Sequence, residues 1–134
     1  MTYSLEQLED VSRHILINAK SQVFLFFGEM GVGKTTLIKA LVKAVGCEDK
    51  VSSPTYSLVN EYLAGDKSIY HFDFYRINDI EEVYDIGFED YLSQDAYILI
   101  EWPELIEPLW PENFTRIDLS LAENQKRQIE VTDV

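Results

Sequence analysis

The 134 residues suffice for one hydrophobic core but would leave two cores near the size where they become marginal, so one domain over residues 1–134 is expected. Hydrophobic residues make up 46% and charged residues 26%, a balance that excludes a disordered or fibrous chain. Eleven Lys and Arg against 24 Asp and Glu give a formal charge of −13, which argues against tight DNA or tRNA binding by the chain's own surface, because such binding rests on a basic patch.

In chain order, Leu5, Leu8, Val11, Ile15 and Ile17 fall on one helical face over residues 3–19, with Ser4 as the expected N-cap. Val23 to Phe27 is an unbroken apolar run, the pattern of a central strand covered on both faces. A glycine-rich stretch follows at once, and Thr35 to Val45 then carries Leu37, Ile38, Leu41 and Val42 on a helical stripe that stops at Gly46. Ser57–Leu63 and Ser68–Phe74 read as a hairpin turned at Ala64, Gly65 and Asp66. Two short helices split by Gly87 are expected between Asp79 and Leu92, then a buried strand Ala96–Ile100 ending at Glu101, and a short helix Pro103–Leu109. Strands over Thr115–Leu121 and Gln128–Val134, joined through Glu123 and Asn124, close the chain. The fold class is α/β: a mixed, mostly parallel central sheet flanked by helices, with antiparallel hairpins, of the phosphate-loop NTPase type.

No apolar run approaches the ~18–20 residues needed to cross a bilayer, and the first residues lack the basic start and apolar stretch of a secretory signal; the expected location is cytoplasmic. Cys47 is the single cysteine, with no His or Cys nearby to share a metal, and reads as a plain free thiol among polar residues. The stretch from Asp79 to Asp95 is strongly acidic, which suits either a solvated face or contact with a basic partner.

Gly28-Glu29-Met30-Gly31-Val32-Gly33-Lys34-Thr35 matches G-x-x-x-x-G-K-[ST], with the required strand before and helix after. Glycines let consecutive N–H groups turn inward at phosphate oxygens, and the helix start adds unpaired donors and the positive end of its dipole. The cradle is Glu29, Met30, Gly31, Val32, Gly33, Lys34, Thr35 and Thr36. Lys34 reaches the β- and γ-phosphates, Thr35 offers a hydroxyl to Mg²⁺, and Thr36 donates near the α-phosphate. ATP with Mg²⁺ is the expected cofactor pair.

Hydrolysis also needs a held metal and an oriented water, so carboxylates at strand ends are the next candidates. Glu101 ends an apolar strand, where an acid without a partner would be buried at a cost. Asp73, in His71-Phe72-Asp73-Phe74-Tyr75-Arg76, could hold Mg²⁺ through water, act on the attacking water, cap the following segment or pair with Arg76. Thr55 follows Pro54 in a polar loop where a hydroxyl could sense the γ-phosphate. His71 and Trp102 adjoin these acids and read as packing residues as readily as chemical ones.

Read together, the phosphate loop, Ser53-Pro54-Thr55-Tyr56, His71-Phe72-Asp73-Phe74-Tyr75-Arg76 and Glu101-Trp102-Pro103-Glu104 resemble the bacterial TsaE (YjeE) family. The resemblance implies an ATPase component of the machinery that forms threonylcarbamoyladenosine at position 37 of tRNAs reading ANN codons. The transfer itself would be done by a TsaB-TsaD complex, on which the small ATPase docks and which would hold the tRNA. By position, Thr35 and Glu101 resemble the family's Mg²⁺ ligands, Glu29 to Thr36 its phosphate cradle, Asp73 its catalytic acid and Thr55 its switch threonine. Lys34, Asp73, Glu101 and Thr55 thus form the expected catalytic set. The family's adenine contacts would fall near Ser4, Leu5 and the Asn124 region. No stable homo-oligomer and no membrane contact are expected. The rival readings are a small-molecule or nucleotide kinase, disfavoured by the absence of an Arg-rich lid, and a nucleotide-operated binding module with incidental hydrolysis.

Overall fold

The computed structural model describes residues 1–47 and 58–134. Its centre is β2 (Val23–Phe27), where Phe24, Leu25 and Phe26 are at most 1% exposed, as an uninterrupted apolar strand requires. Before it come a two-residue strand β1 (Thr2–Tyr3), a 3₁₀ turn (Leu5–Gln7) and helix α1 (Leu8–Asn18). The helix expected from residue 3 therefore begins later. Ser4 stands at the start of the 3₁₀ turn, where its N–H donates to Gln7 Oε1 at 3.0 Å, and Tyr3 is drawn into pairing with the far end of the chain. Leu5 and Ile17 stay exposed, leaving Val11 and Ile15 as buried apolar anchors of α1.

Helix α2 (Lys34–Val45) follows the glycine loop and stops at Gly46. Strands β3 (Val59–Ala64) and β4 (Lys67–Asp73) form the expected antiparallel hairpin around Gly65 and Asp66. Helices α3 (Glu81–Asp85) and α4 (Phe88–Leu92) flank Gly87. After β5 (Tyr97–Glu101) comes a 3₁₀ segment over Pro103–Leu109, where an α-helix is blocked by Pro108 and by the non-helical Ile106. Strands β6 (Thr115–Leu121) and β7 (Arg127–Asp133) close the chain through a turn with positive φ at Asn124 and Gln125.

The seven strands form one sheet in the order β1-β7-β6-β2-β5-β4-β3. Its centre is parallel, through the β6–β2, β2–β5 and β5–β4 ladders, and both flanks are antiparallel. One face packs Phe24, Phe26, Ile69 and Leu99 against α1 and α2; the other packs Leu25, Phe72, Ile98 and Ile100 against α3, α4 and the 3₁₀ segment. Strand alternation thus sorts odd-numbered β4 and β5 residues, Asp73 and Glu101 included, toward the α2 side. Cys47, expected among polar residues, is instead buried with the α1–α2 cluster, its N–H donating to the Val42 carbonyl at 3.3 Å just past the Gly46 cap. Among the described residues no helix is long and apolar enough to cross a membrane.

Candidate functional site

The phosphate loop leaves β2 at Gly28, whose φ is +151° and whose missing Cβ would stand 2.7 Å from the Leu119 carbonyl oxygen. Because that neighbour is backbone, any side chain there would force β6 away from the loop. Gly33 caps α2 in the left-handed region at φ 102°, and its carbonyl accepts the first helical bond from Leu37 N–H at 3.0 Å. Lys34 and Thr35 therefore occupy the first turn of α2.

Register sets the carboxylates opposite. Phe26 pairs with Glu101 and Glu101 with Asp73, so β2, β5 and β4 end side by side at the level where the loop begins. A cavity of about 330 Å³ there is lined by Met30, Gly31, Gly33, Lys34, Thr35, Thr36, Asp73, Tyr75, Glu101, Trp102 and Arg127. A larger recess of about 530 Å³, lined by His14, Asn18, Gln128 and Glu130 among others, shares no residue with it. The smaller cavity is the chemically equipped one, since it holds the loop, its lysine and two acids.

Thr35 Oγ1 donates to Glu101 Oε1 at 2.9 Å, and Glu101 Oε2 lies 2.7 Å from His71 Nε2. Glu101 is 3% exposed and His71 fully buried. The Thr35–Glu101 pair suits a hard cation: ligands at ~2.0–2.1 Å on adjacent corners of an octahedron stand ~2.9 Å apart, and Mg²⁺ is ordinarily held by one or two protein oxygens plus phosphates. No group of three or more His, Cys, Asp or Glu that could hold a metal ion occurs among the described residues.

Lys34 is 5% exposed, and its Nζ has no hydrogen-bond partner among the described residues. Its ammonium sits 3.6 Å from the centre of the Trp102 ring. Burial pushes its pKa below the ordinary lysine value, opposed by Glu101, Glu104 and Asp73. An unpaired buried ammonium at the mouth of an N–H-lined loop fits an anion such as a phosphate. Trp102 holds this place with φ 57°, unusual for a bulky residue, and its ring packs 5.1 Å from Tyr75. Asp73 Oδ1 accepts from Tyr75 N–H at 3.0 Å, so the acid does cap the following segment while lining the cavity. Burial raises its pKa above the usual carboxylate value, partly offset by that N–H.

The structure thus gathers Lys34, Thr35, Asp73 and Glu101 around one cavity, together with Met30, Gly31, Gly33 and Thr36 of the expected cradle. Glu29 and Val32, expected in the cradle as well, do not line the cavity; Val32 N–H donates to the Glu29 carbonyl at 3.3 Å within the loop. Thr55, with Ser53, Pro54 and Tyr56, lies outside the described residues. Asn124 and Gln125 form the β6–β7 turn, and neither they, Ser4 nor Leu5 lines the cavity. Arg127 is the residue that sequence reasoning missed: its Nε donates to the Val32 carbonyl at 2.8 Å, bracing the loop from β7. An arginine opening a terminal strand carries no local signal of this, since only the sheet order brings it to the loop.

The family model described as "Threonylcarbamoyl adenosine biosynthesis protein TsaE" matches residues 2–129. The "tRNA threonylcarbamoyladenosine biosynthesis protein TsaE" of Bacillus subtilis (strain 168) is 32% identical over 134 residues, covering 99% of this chain and 84% of that relative. The Haemophilus influenzae protein of the same description is 46% identical over 85 residues, covering 63% of this chain. That of Rickettsia conorii is 36% identical over 108 residues, covering 80% of this chain. The match spans only 54% of the length of the Haemophilus relative and 61% of the Rickettsia one. The crystal structure of Bacillus subtilis YdiB is similar with a TM-score of 0.74 at 25% identity, covering 100% of this chain and 85% of that one. Matched along nearly its whole length and sharing this phosphate-loop NTPase fold, the chain belongs to the TsaE family.

Proposed function

We propose that this chain binds ATP with Mg²⁺ and hydrolyses it to ADP and phosphate, in support of a TsaB-TsaD complex that forms threonylcarbamoyladenosine at position 37 of tRNAs reading ANN codons. The observation that carries the nucleotide part is Lys34 Nζ: a buried cation with no acceptor among the described residues, beside a glycine loop and a preformed Thr35–Glu101 oxygen pair. Family membership supports the tRNA-modification part, and the charge of −13 fits a protein that leaves tRNA to its partners.

In this reading the loop N–H groups and Lys34 bind the phosphates, Lys34 leaving the Trp102 face to do so. Thr35 Oγ1 and Glu101 Oε1 are the protein ligands of Mg²⁺, which when bound neutralises charge developing on the phosphate oxygens. Asp73, with Oδ1 held by Tyr75 N–H, keeps Oδ2 to orient water and take its proton, and burial makes it a better acceptor. Trp102 and Tyr75 wall the cavity and limit its water.

The test is phosphate release from Mg-ATP by the purified protein, alone and with a TsaB-TsaD complex, with Lys34→Ala as control. Release that rises with the partners and vanishes in the variant is expected. Release that ignores the partners would remove the tRNA-modification part, and release that survives Lys34→Ala would remove the site assignment.

A further inference from the structure

Glu101 is the one carboxylate buried among the described residues, and each of its oxygens meets a different side chain. Oε1 takes the Thr35 hydroxyl at 2.9 Å and Oε2 the His71 Nε2 at 2.7 Å. The contact with His71 is built into the sheet. His71 pairs with Leu99 and Asp73 with Glu101 across the β4–β5 ladder, so His71 stands one pleat behind the acid on the same face. It is fully buried, and its other nitrogen, Nδ1, has no hydrogen-bond partner among the described residues. A carboxylate oxygen accepts, so Nε2 carries the hydrogen of this contact.

From this arrangement we infer that His71 is a positioning residue: its Nε2–H holds Glu101 Oε2 and turns Oε1 alone toward Thr35, so that Glu101 offers a divalent cation a single oxygen. This deepens the Mg-ATP reading and rests on it. Space filling alone does not require one particular ring nitrogen to meet the acid at 2.7 Å. With Oε2 engaged, the carboxylate cannot pivot to ligate through both oxygens, which suits a small octahedral ion better than a larger one with flexible coordination. Hydrogen-bond partners behind a metal ligand commonly carry a ~10–100-fold share of metal affinity.

The experiment has two arms. Nitrogen NMR of His71 in the nucleotide-free protein should show a hydrogen on Nε2. Mn²⁺ titration in the presence of ADP, read by electron paramagnetic resonance, should show ~10–100-fold weaker binding in His71→Leu. His71→Gln, whose terminal nitrogen reaches about as far as the imidazole Nε2, should recover most of the affinity, and the shorter His71→Asn should not. An Nε2 without a hydrogen, a folded His71→Leu with unchanged Mn²⁺ affinity, or equal recovery by Asn and Gln would each overturn the inference. If His71→Leu fails to fold, the Gln and Asn pair and the tautomer still decide. A wild-type protein that takes up no Mn²⁺ with ADP would sink the Mg-ATP reading, and this inference with it, an outcome distinct from any variant result.

Discussion

Replacing Lys34 with Met should make the nucleotide-free protein more stable while abolishing ATP binding. Lys34 is 5% exposed, its Nζ lacks an acceptor among the described residues, and the Trp102 ring lies 3.6 Å away. A buried polar group left unsatisfied costs about 1–3 kcal/mol, and a desolvated cation–π contact returns about 0.5–2 kcal/mol. Methionine keeps the apolar stem buried and can place its sulfur against the same indole. The difference favours Lys34→Met by about 1 kcal/mol, or about 3–5 °C in melting temperature for a domain of this size. The check is thermal unfolding followed by circular dichroism at pH 7 without nucleotide, beside calorimetric titration with Mg-ATP. A variant less stable than the parent by about 1 kcal/mol or more would refute the reasoning, because Lys34 would then be satisfied in the free protein.

Three further outcomes follow from the same geometry. Burial raises the Asp73 pKa above its ordinary 3.8, so the folded state holds that proton more readily than the unfolded state, and the stability this confers at acid pH is lost as pH rises through the raised value. Asp73→Asn should therefore be the more stable protein at pH 7, with the gap closing as pH falls toward 3.8; stability curves that stay parallel across this window would contradict the assignment. Phe72 is fully buried, stacked on Phe74 at 5.6 Å and edge-on to Phe88 at 5.1 Å. Phe72→Ala should cost about 3–5 kcal/mol in urea unfolding, and a loss below about 1.5 would mean the core refills. Arg127→Ala removes the Nε–H donated to the Val32 carbonyl. A charge-assisted bond of about 1.5–3 kcal/mol translates to roughly tenfold or greater weakening of ATP binding if it serves the loop, with little change in unfolding; an unchanged dissociation constant would leave Arg127 a surface residue.

Much of the fold is written locally. Val23–Phe27 needs no partner information to read as a central strand, Gly87 divides α3 from α4, and the Gly65–Asp66 turn fixes the register of its hairpin. The phosphate loop and the acids at the ends of β4 and β5 were legible because a strand, a glycine loop and a terminal carboxylate each carry their own signal. What was not legible depends on residues far apart in sequence. Thr2 and Tyr3 are a strand only because β7 lies beside them, so from the sequence Tyr3 reads instead as the edge of a helical segment over residues 3–19. His71 could not be told from a packing histidine until the β4–β5 register set it behind Glu101. Arg127 reaches Val32 only across the β7-β6-β2 order. The short helix over Pro103–Leu109 was legible too, and its 3₁₀ form follows from Pro108 and the non-helical Ile106 within it.

The placement of β2 between β5 and β6 also has a bearing on how the chain matures during synthesis. Phe24 leaves the ribosome early, yet its pairing partners on either side are Leu99 and Thr115. At about 5–20 residues per second the loop-bearing strand waits several seconds for both neighbours. Through that interval five largely aromatic, apolar residues have no sheet to join, and the oxygen pair of Thr35 and Glu101 cannot exist. Nascent chains should therefore gain nucleotide affinity late and abruptly, once β6 emerges, and a chaperone that covers Val23–Phe27 would act on the newborn protein before ATP could.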